Sequence, residues 1–99
     1  MILKERQTDQ GLLVSVCDAD VLGETFANGD VSLTVKEDFY AGEAADRVDA
    51  DDVVESLGRA AVANLVGTRS VEVAVDAGVI EASQVLEIED TLHAQYLRF

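Results

Sequence analysis

Cysteine and histidine are the side chains that nucleophilic chemistry would use, and the chain has one of each. Cys17 stands beside Asp18, and His93 lies two residues before Gln95. A Cys and a His could act as nucleophile and base if the fold brought their segments together. The neighbouring carboxylate opposes thiolate formation, however, so an inert Cys17 is favoured. We therefore name no catalytic residue, and we keep a small enzyme that uses Cys17 and His93 as an alternative.

Other polar side chains are candidates for binding. If the C-terminal segment is a strand, His93 and Gln95 point to one face and offer a donor and an acceptor together. Asn64 interrupts an apolar run, where it would contact a ligand or, more commonly, satisfy backbone groups. Arg69 at the start of a helix could hold a phosphate or carboxylate, or it could pair with one of the 20 acids. Asp18 and Cys17 are weaker candidates.

Aromatic and acidic clusters complete the search for sites. Phe39 and Tyr40 could stack on bases, as in readers of single-stranded RNA, or they could anchor a loop to the core. Asp49, Asp51 and Asp52 are similar to part of a calcium loop, but the twelve-residue spacing with its Gly and terminal Glu is missing. Helix capping explains these carboxylates better, and we expect no metal and no cofactor.

Charge is the strongest signal in the composition. Twenty Asp and Glu stand against seven Lys and Arg, which gives a formal net charge of -13. Such acidity is typical of proteins adapted to salt, where counterions screen the self-repulsion, so it argues only weakly against RNA. DNA is excluded more firmly, because Glu72 and Asp76 would repel phosphate from the one helix placed to enter a groove.

Cellular location follows from cysteine usage and from hydropathy. A single Cys permits no internal disulfide, which favours a reducing compartment. The N-terminal segment lacks the apolar stretch of a signal peptide, and no window is long and apolar enough to span a bilayer. We expect a cytoplasmic protein that does not bind membranes.

The segments that position these side chains have either the two-residue hydrophobic period of a strand or the 3.6-residue period of a helix. Residues 1–6 and 12–17 predict a β-hairpin, and residues 31–35 predict a strand. Residues 84–89 and 92–99 predict a second hairpin around Asp90 and Thr91. Residues 36–48 are polar and predict a loop. Asp18 predicts a cap for a short helical turn, and Asp49 predicts the cap of a helix that ends at Gly67. A second helix then runs to Gly78, capped by Thr68 or Ser70.

These elements predict one α+β domain over residues 1–99. Its antiparallel sheet combines the N-terminal and C-terminal strands and packs against a central helical hairpin. Alternating strands and helices with a glycine-rich phosphate loop are absent from the pattern, which excludes dinucleotide and P-loop sites.

The order of four short motifs resembles an archaeal family, the domain of unknown function 424. These motifs are VCDADVLGETF, DFYAGE, ANLVG and HAQ, and they extend over nearly the whole chain. The resemblance carries over these motif residues: Cys17, Asp18, Gly23, Phe39, Tyr40, Gly42, Glu43, Asn64, Gly67, His93 and Gln95. Where the family pattern has Gly-Val-Pro before HAQ, this chain has Asp90, Thr91 and Leu92.

The resemblance implies an archaeal source, which the acidity would make a halophile, and it implies no established activity. A loose association with RNA or translation is implied as well. We therefore expect a non-catalytic module that binds RNA or a ribonucleoprotein, or else a subunit that assembles with another protein; the oligomeric state stays open. The binding candidates are Tyr40, Glu43, Asn64, Arg69, His93 and Gln95.

Overall fold

The N-terminal hairpin begins a six-stranded sheet. In the computed structural model, which describes residues 1–42 and 45–98, β1 (Ile2–Thr8) pairs antiparallel with β2 (Gly11–Cys17) from Ile2↔Cys17 to Thr8↔Gly11. The hydroxyl of Thr8 closes the turn by donating to the carbonyl of Gly11 at 2.7 Å. The predicted hairpin is confirmed.

A small two-stranded sheet follows. It contains β3 (Thr25–Asn28) and β4 (Val31–Thr34), which join through Gly29 and Asp30. The strand predicted at residues 31–35 is confirmed, and β3 was not predicted. The short helical turn predicted after Asp18 forms over Ala19–Val21, but the Asp18 side chain makes no cap there.

The segment predicted as a loop contains two short elements. Helix α1 spans Glu37–Tyr40, and β5 (Ala45–Arg47) pairs antiparallel with β1 at the edge of the large sheet. The loop prediction is therefore wrong for these residues. A three-residue edge strand is too short to show a period, and its ladder depends on β1, more than forty positions away.

Helix α2 (Ala50–Arg59) begins where the sequence indicates. The Asp49 carboxylate accepts from the backbone N–H of Asp52 at 3.0 Å, and the Asp52 carboxylate accepts from the backbone N–H of Asp49 at 3.3 Å. Together the two bonds form a capping box. The helix ends at Arg59, however, eight residues before the predicted end at Gly67.

The predicted helical hairpin is wrong, because β6 (Val62–Val66) separates α2 from α3 (Thr68–Asp76). Strand β6 lies in the middle of the sheet, parallel to β2 and antiparallel to β8. Leu65 and Val66 are both fully buried although they lie on opposite faces of the sheet, and Val62 is half-buried, so the sequence of β6 does not alternate strictly. The spacing of Ala61, Asn64 and Leu65 therefore also fitted a helix.

The C-terminal hairpin is confirmed and completes the sheet in the order β5-β1-β2-β6-β8-β7. Strand β7 (Leu86–Ile88) pairs antiparallel with β8 (Thr91–Leu97) across a turn at Glu89 and Asp90. The sheet is antiparallel except at β2 and β6. The α+β class is thus confirmed, with two separate helices in place of a helical hairpin.

The two faces of this sheet have different coverings. On the helix face, Val14, Val16, Ala63 and Leu65 pack with residues of α2 and α3 into the main core. Within residues 1–42 and 45–98, the apolar cluster that covers the opposite face, here called the open face, lies at one end of the sheet. There Phe26, Val35 and Tyr40 pack over side chains from the large sheet in a second cluster, which includes Ile2, Cys17, Val66 and Ile88.

Candidate functional site

Asn64 and Gln95 meet on the open face. The two residues are register partners on β6 and β8, and the Gln95 amide donates to the Asn64 side-chain carbonyl at 2.8 Å. Ser15 and Lys4 continue the same row across β2 and β1. Asn64 was predicted near a helix end, and its strand position corrects that prediction. Its amide group and that of Gln95 retain further donors and acceptors for a ligand.

His93 belongs to the next row of the open face. Its Nδ1 lies 2.9 Å from the carbonyl oxygen of Leu65. Because a carbonyl oxygen can only accept, Nδ1 donates this hydrogen bond, which fixes the orientation of the ring. The strand prediction for this segment is confirmed, with His93 and Gln95 on one face and Ala94 buried on the other.

Cys17 and His93 do not form a catalytic pair. Cys17 is the partner of Val66, and Val66 is the partner of His93, so one whole strand lies between the two side chains. Two strand spacings amount to about 9–10 Å, far beyond hydrogen-bond reach. Cys17 is fully buried, and burial followed by the charge of Asp18 raises the pKa of its thiol from 9.0 to about 11. This geometry disfavours the enzyme alternative.

Cys17 should therefore resist alkylation. The folded pKa lies above that of the unfolded chain, so its contribution to stability is complete below pH 9 and is lost as the pH rises through about 11. At pH 8 we expect iodoacetamide to label the folded protein at least about 100-fold more slowly than the denatured chain, from the thiolate fraction alone. Mass spectrometry at timed intervals measures both rates. Labelling of the folded protein at the denatured rate would contradict this placement and restore the enzyme alternative.

Asp18 and Gly67 form a clasp at the start of α3. The Asp18 carboxylate accepts from the backbone of Arg69 at 3.1 Å and from the backbone and hydroxyl of Ser70 at 2.8 and 2.7 Å. The prediction that Thr68 or Ser70 caps this helix is therefore wrong. The cap is Asp18, which lies 52 positions before Ser70. The same negative carboxylate lies at the positive end of the helix dipole, where it stabilises the helix. Arg69 stands at this end of the helix as well. Asp18 occupies the place that an external anion would take.

The remaining candidates do not belong to the exposed row of Asn64 and Gln95. Tyr40 is 4% exposed and meets Phe39 edge to face at a centroid distance of 5.0 Å. Burial raises the pKa of its hydroxyl. A buried ring cannot stack on a base, so the stacking role predicted for Tyr40 is wrong and the ring anchors α1 to the core. Arg69 is exposed at the clasp. Glu43 lies outside the described residues.

Charge is distributed unevenly between the two faces. Beyond the second cluster, the open face has two rows of four residues, and they comprise Lys4, Ser15, Asn64 and Gln95, then Arg6, Leu13, Val62 and Leu97. These eight positions hold two cations and no carboxylate. The acids of the described strands pair in register with residues of the helix face, and they are Glu5, Asp46 and Glu87.

Glu5 shows how the helix face uses its acids. Its carboxylate accepts from Ser56 at 2.6 Å and from Arg59 at 2.5 Å. The hydrogen bond from Ser56 is the main cause that lowers the pKa of this carboxyl. Lys4 and Arg6 were not predicted as site residues. Their alternation with Glu5 is the signal in the sequence that indicates a basic face, because residues two apart on a strand share a face.

Within residues 1–42 and 45–98, no group of three or more His, Cys, Asp or Glu side chains is arranged to hold a metal ion. The helices of the same ranges are all too short or too polar to cross a lipid bilayer.

A family model described as a protein of unknown function (DUF424) matches residues 5–99. The chain belongs to the DUF424 family. The resemblance drawn from the four motifs is thereby confirmed. Among curated proteins, none matches this DUF424 chain in sequence.

A solved structure of an archaeal protein shares the fold. It is the crystal structure of an uncharacterized conserved protein from Methanopyrus kandleri, similar to this DUF424 protein with a TM-score of 0.74 and 24% sequence identity. The match covers 99% of this chain and 92% of the other. At this identity the likeness shows the fold alone, so the function must be argued from the surface.

Proposed function

We propose that this DUF424 protein is a non-catalytic binding module whose open face binds single-stranded RNA, as part of a ribonucleoprotein or the translation machinery. The observation that supports the proposal is the absence of carboxylates from the eight positions in the two rows of that face, of which all but Ser15 are exposed or half-exposed, in a chain of net charge -13. Arg6 would contact a phosphate, and Lys4, whose ammonium donates one hydrogen bond to the backbone carbonyl of Asp38, would contact a second with its remaining N–H groups. Asn64 with Gln95 would hydrogen-bond to base edges.

The overall negative charge limits this binding without preventing it. Repulsion from distant acids is screened beyond about 10 Å at 0.1 M salt and beyond about 3 Å at 1 M. Local contacts then decide the affinity. Two phosphate contacts predict a slope of about -1.4 for the logarithm of the binding constant against the logarithm of the salt concentration. Such a shallow slope lets a face with few cations keep its ligand as salt rises.

The test compares two exposed cations of the same molecule. Arg6 lies exposed on the open face, whereas Lys36 lies exposed in the position before α1. We expect Arg6→Gln to weaken binding of a mixed-sequence single-stranded RNA about 3- to 10-fold and to reduce the salt slope by about 0.7. Lys36→Gln should change the affinity less than about twofold. Fluorescence anisotropy at several salt concentrations measures both quantities.

Two outcomes would contradict the proposal. Equal losses in Arg6→Gln and Lys36→Gln would show that net charge alone governs binding. RNA that fails to bind at low salt would remove RNA as the ligand of this face.

Protein assembly is the second candidate, and the apolar row of the open face favours it. Leu97 is 62% exposed, and Leu13 and Val62 lie beside it in register. Exposed apolar side chains next to a polar pair are the composition of a protein interface. Association with a second protein, rather than with RNA, should be lost in Leu97→Ser and kept in Arg6→Gln. Light scattering with these two variants separates the candidates when the partner is a second copy of the chain.

A further inference from the structure

An apolar groove lies on the helix face of the sheet, between α3 and the start of β8. It has a volume of about 240 Å³. Small-molecule sites have volumes of about 300 Å³ or more, so this groove fits a single apolar side chain better than a whole metabolite. Its apolar lining comes from α3, from β8 and from the connection that precedes β7, and it comprises Val71, Val75, Ala82, Val85 and Leu92.

The main core supports this groove from below. Val71 is fully buried in that core. Val75, Val85 and Leu92 pack against it and are only half-buried. A helix and a strand hold these side chains in place, so the groove exists before a partner binds. Burying apolar surface at such a preformed site costs little ordering of the protein, which is the property of an anchor pocket in a protein interface.

Two carboxylates form one rim of the groove. Glu72 and Asp76 are exposed and line it, and they stand four positions apart on α3, on one side of the helix. In the part of the chain that the structure describes, the lining contains no Lys or Arg. Like charges at this spacing repel each other, and Asp76 is also the last residue of α3, at the negative end of the dipole. Both effects disfavour the helix, and a cation at this rim would relieve both.

We propose that this groove docks a basic segment of a partner protein. One apolar side chain of the segment fills the groove, and neighbouring Lys or Arg side chains pair with Glu72 and Asp76. Charge complementarity selects this occupant, because an acidic segment would be repelled and a neutral one would leave both carboxylates without a counter-charge. The groove shares no residue with the two rows of the open face, so this proposal does not depend on RNA binding.

A phage library of random linear peptides tests the occupant directly. The selection uses the immobilised full chain at the lowest salt concentration at which circular dichroism shows the folded state, because salt screens the charges of the rim. We expect enrichment of peptides that carry one large apolar residue with Lys or Arg within about four positions of it.

A charge reversal at the rim should reverse this preference. Glu72→Lys with Asp76→Lys changes two exposed positions, so the core stays intact, and the enriched peptides should then carry Asp or Glu beside the apolar residue. The control is Asp9→Lys with Asp30→Lys, which makes the same change of charge at exposed positions in two turns. This control should still select Lys and Arg.

The apolar part of the groove is tested by affinity. Val75→Ser should weaken binding of an enriched, fluorescein-labelled peptide about fivefold or more, measured by fluorescence anisotropy. The matched control is Val73→Ser, because Val73 is also half-buried on α3 and packs against the main core but does not line the groove. It should change the affinity less than about twofold, although both variants lower the melting temperature.

Four outcomes would overturn the proposal. A selection that enriches no peptide would remove the groove as a peptide site, and enriched peptides without Lys or Arg would remove the basic partner. Equal effects of the two charge reversals, or of Val75→Ser and Val73→Ser, would show that binding does not use the groove. Self-association in light scattering that is lost in Val75→Ser and kept in Val73→Ser would assign the groove to a second copy of the chain.

Discussion

Replacing Gly67 by alanine should lower the free energy of unfolding by about 3 kcal/mol or more. Gly67 is buried with φ of 116° and ψ of 143°, a region that only glycine adopts without strain. An added Cβ would lie 2.7 Å from both carboxylate oxygens of Asp18. The carboxylate would have to move, and α3 would lose its cap in addition to the backbone strain. Chemical denaturation of both proteins measures the difference.

Gly78→Ala is the matched control. Gly78 also has a positive φ, of 77°, but nothing lies within 4 Å of an added Cβ. We expect a cost of about 1 kcal/mol from backbone conformation alone. Equal costs at the two glycines would show that the contact with Asp18 is unimportant.

The clasp also predicts a coupling between its two members. In an Asp18→Ala background the carboxylate is already absent, so Gly67→Ala should cost less than it does in the natural chain. The two single substitutions should therefore add to more than the double substitution. Simple additivity would show that Asp18 and Gly67 act independently.

Local signals were sufficient for the elements that depend on near neighbours. The hairpin of β1 and β2, the cap at Asp49 and the C-terminal hairpin are each specified within about ten residues. In each of them a polar or glycine residue stands where the chain must turn, so the sequence pattern and the structure agree.

Elements specified by distant partners could not be predicted in the same way. Strand β6 is stabilised by β2 and β8, from opposite ends of the chain, and β5 depends on β1. The carboxylate that caps α3 lies 52 positions before the residue it binds, so Thr68 and Ser70 appeared to be the caps. A single sequence contains no local trace of these pairings.

The sequence identified three residues of the candidate site but did not predict how they are arranged. Asn64, His93 and Gln95 were named from motifs, and the register places all three on the open face. Their position there required β6 to be a strand. Lys4 and Arg6, which carry the charge argument, were passed over because they form no run of basic residues. Tyr40 was named as a residue that stacks on bases, and its burial in the second cluster confirms the alternative, a ring that anchors its segment to the core.

Leu65→Ala should lower the free energy of unfolding by about 3 kcal/mol. Substitutions at this position also test whether residues 62–66 form a strand. Leu65 is fully buried in the main core between the sheet and the helices, so truncation leaves a cavity. Val62 lies on the open face of the same strand and is only partly buried. Val62→Ala should cost less than about 1 kcal/mol. Thermal and chemical denaturation compare the two.

A second test of the assignment of β6 places a polar side chain at position 65 and an apolar one at position 64. A helix would place Asn64 and Leu65 on one apolar face, whereas the strand places them on opposite faces of the sheet. Leu65→Asn should therefore prevent folding, because the amide would be buried without partners, and Asn64→Leu should leave stability nearly unchanged. Destabilisation by Asn64→Leu comparable to that of Leu65→Ala would contradict the strand. A stable Asn64→Leu protein that binds RNA more weakly would separate folding from recognition, because Asn64 contributes its amide to the open face and little to the core.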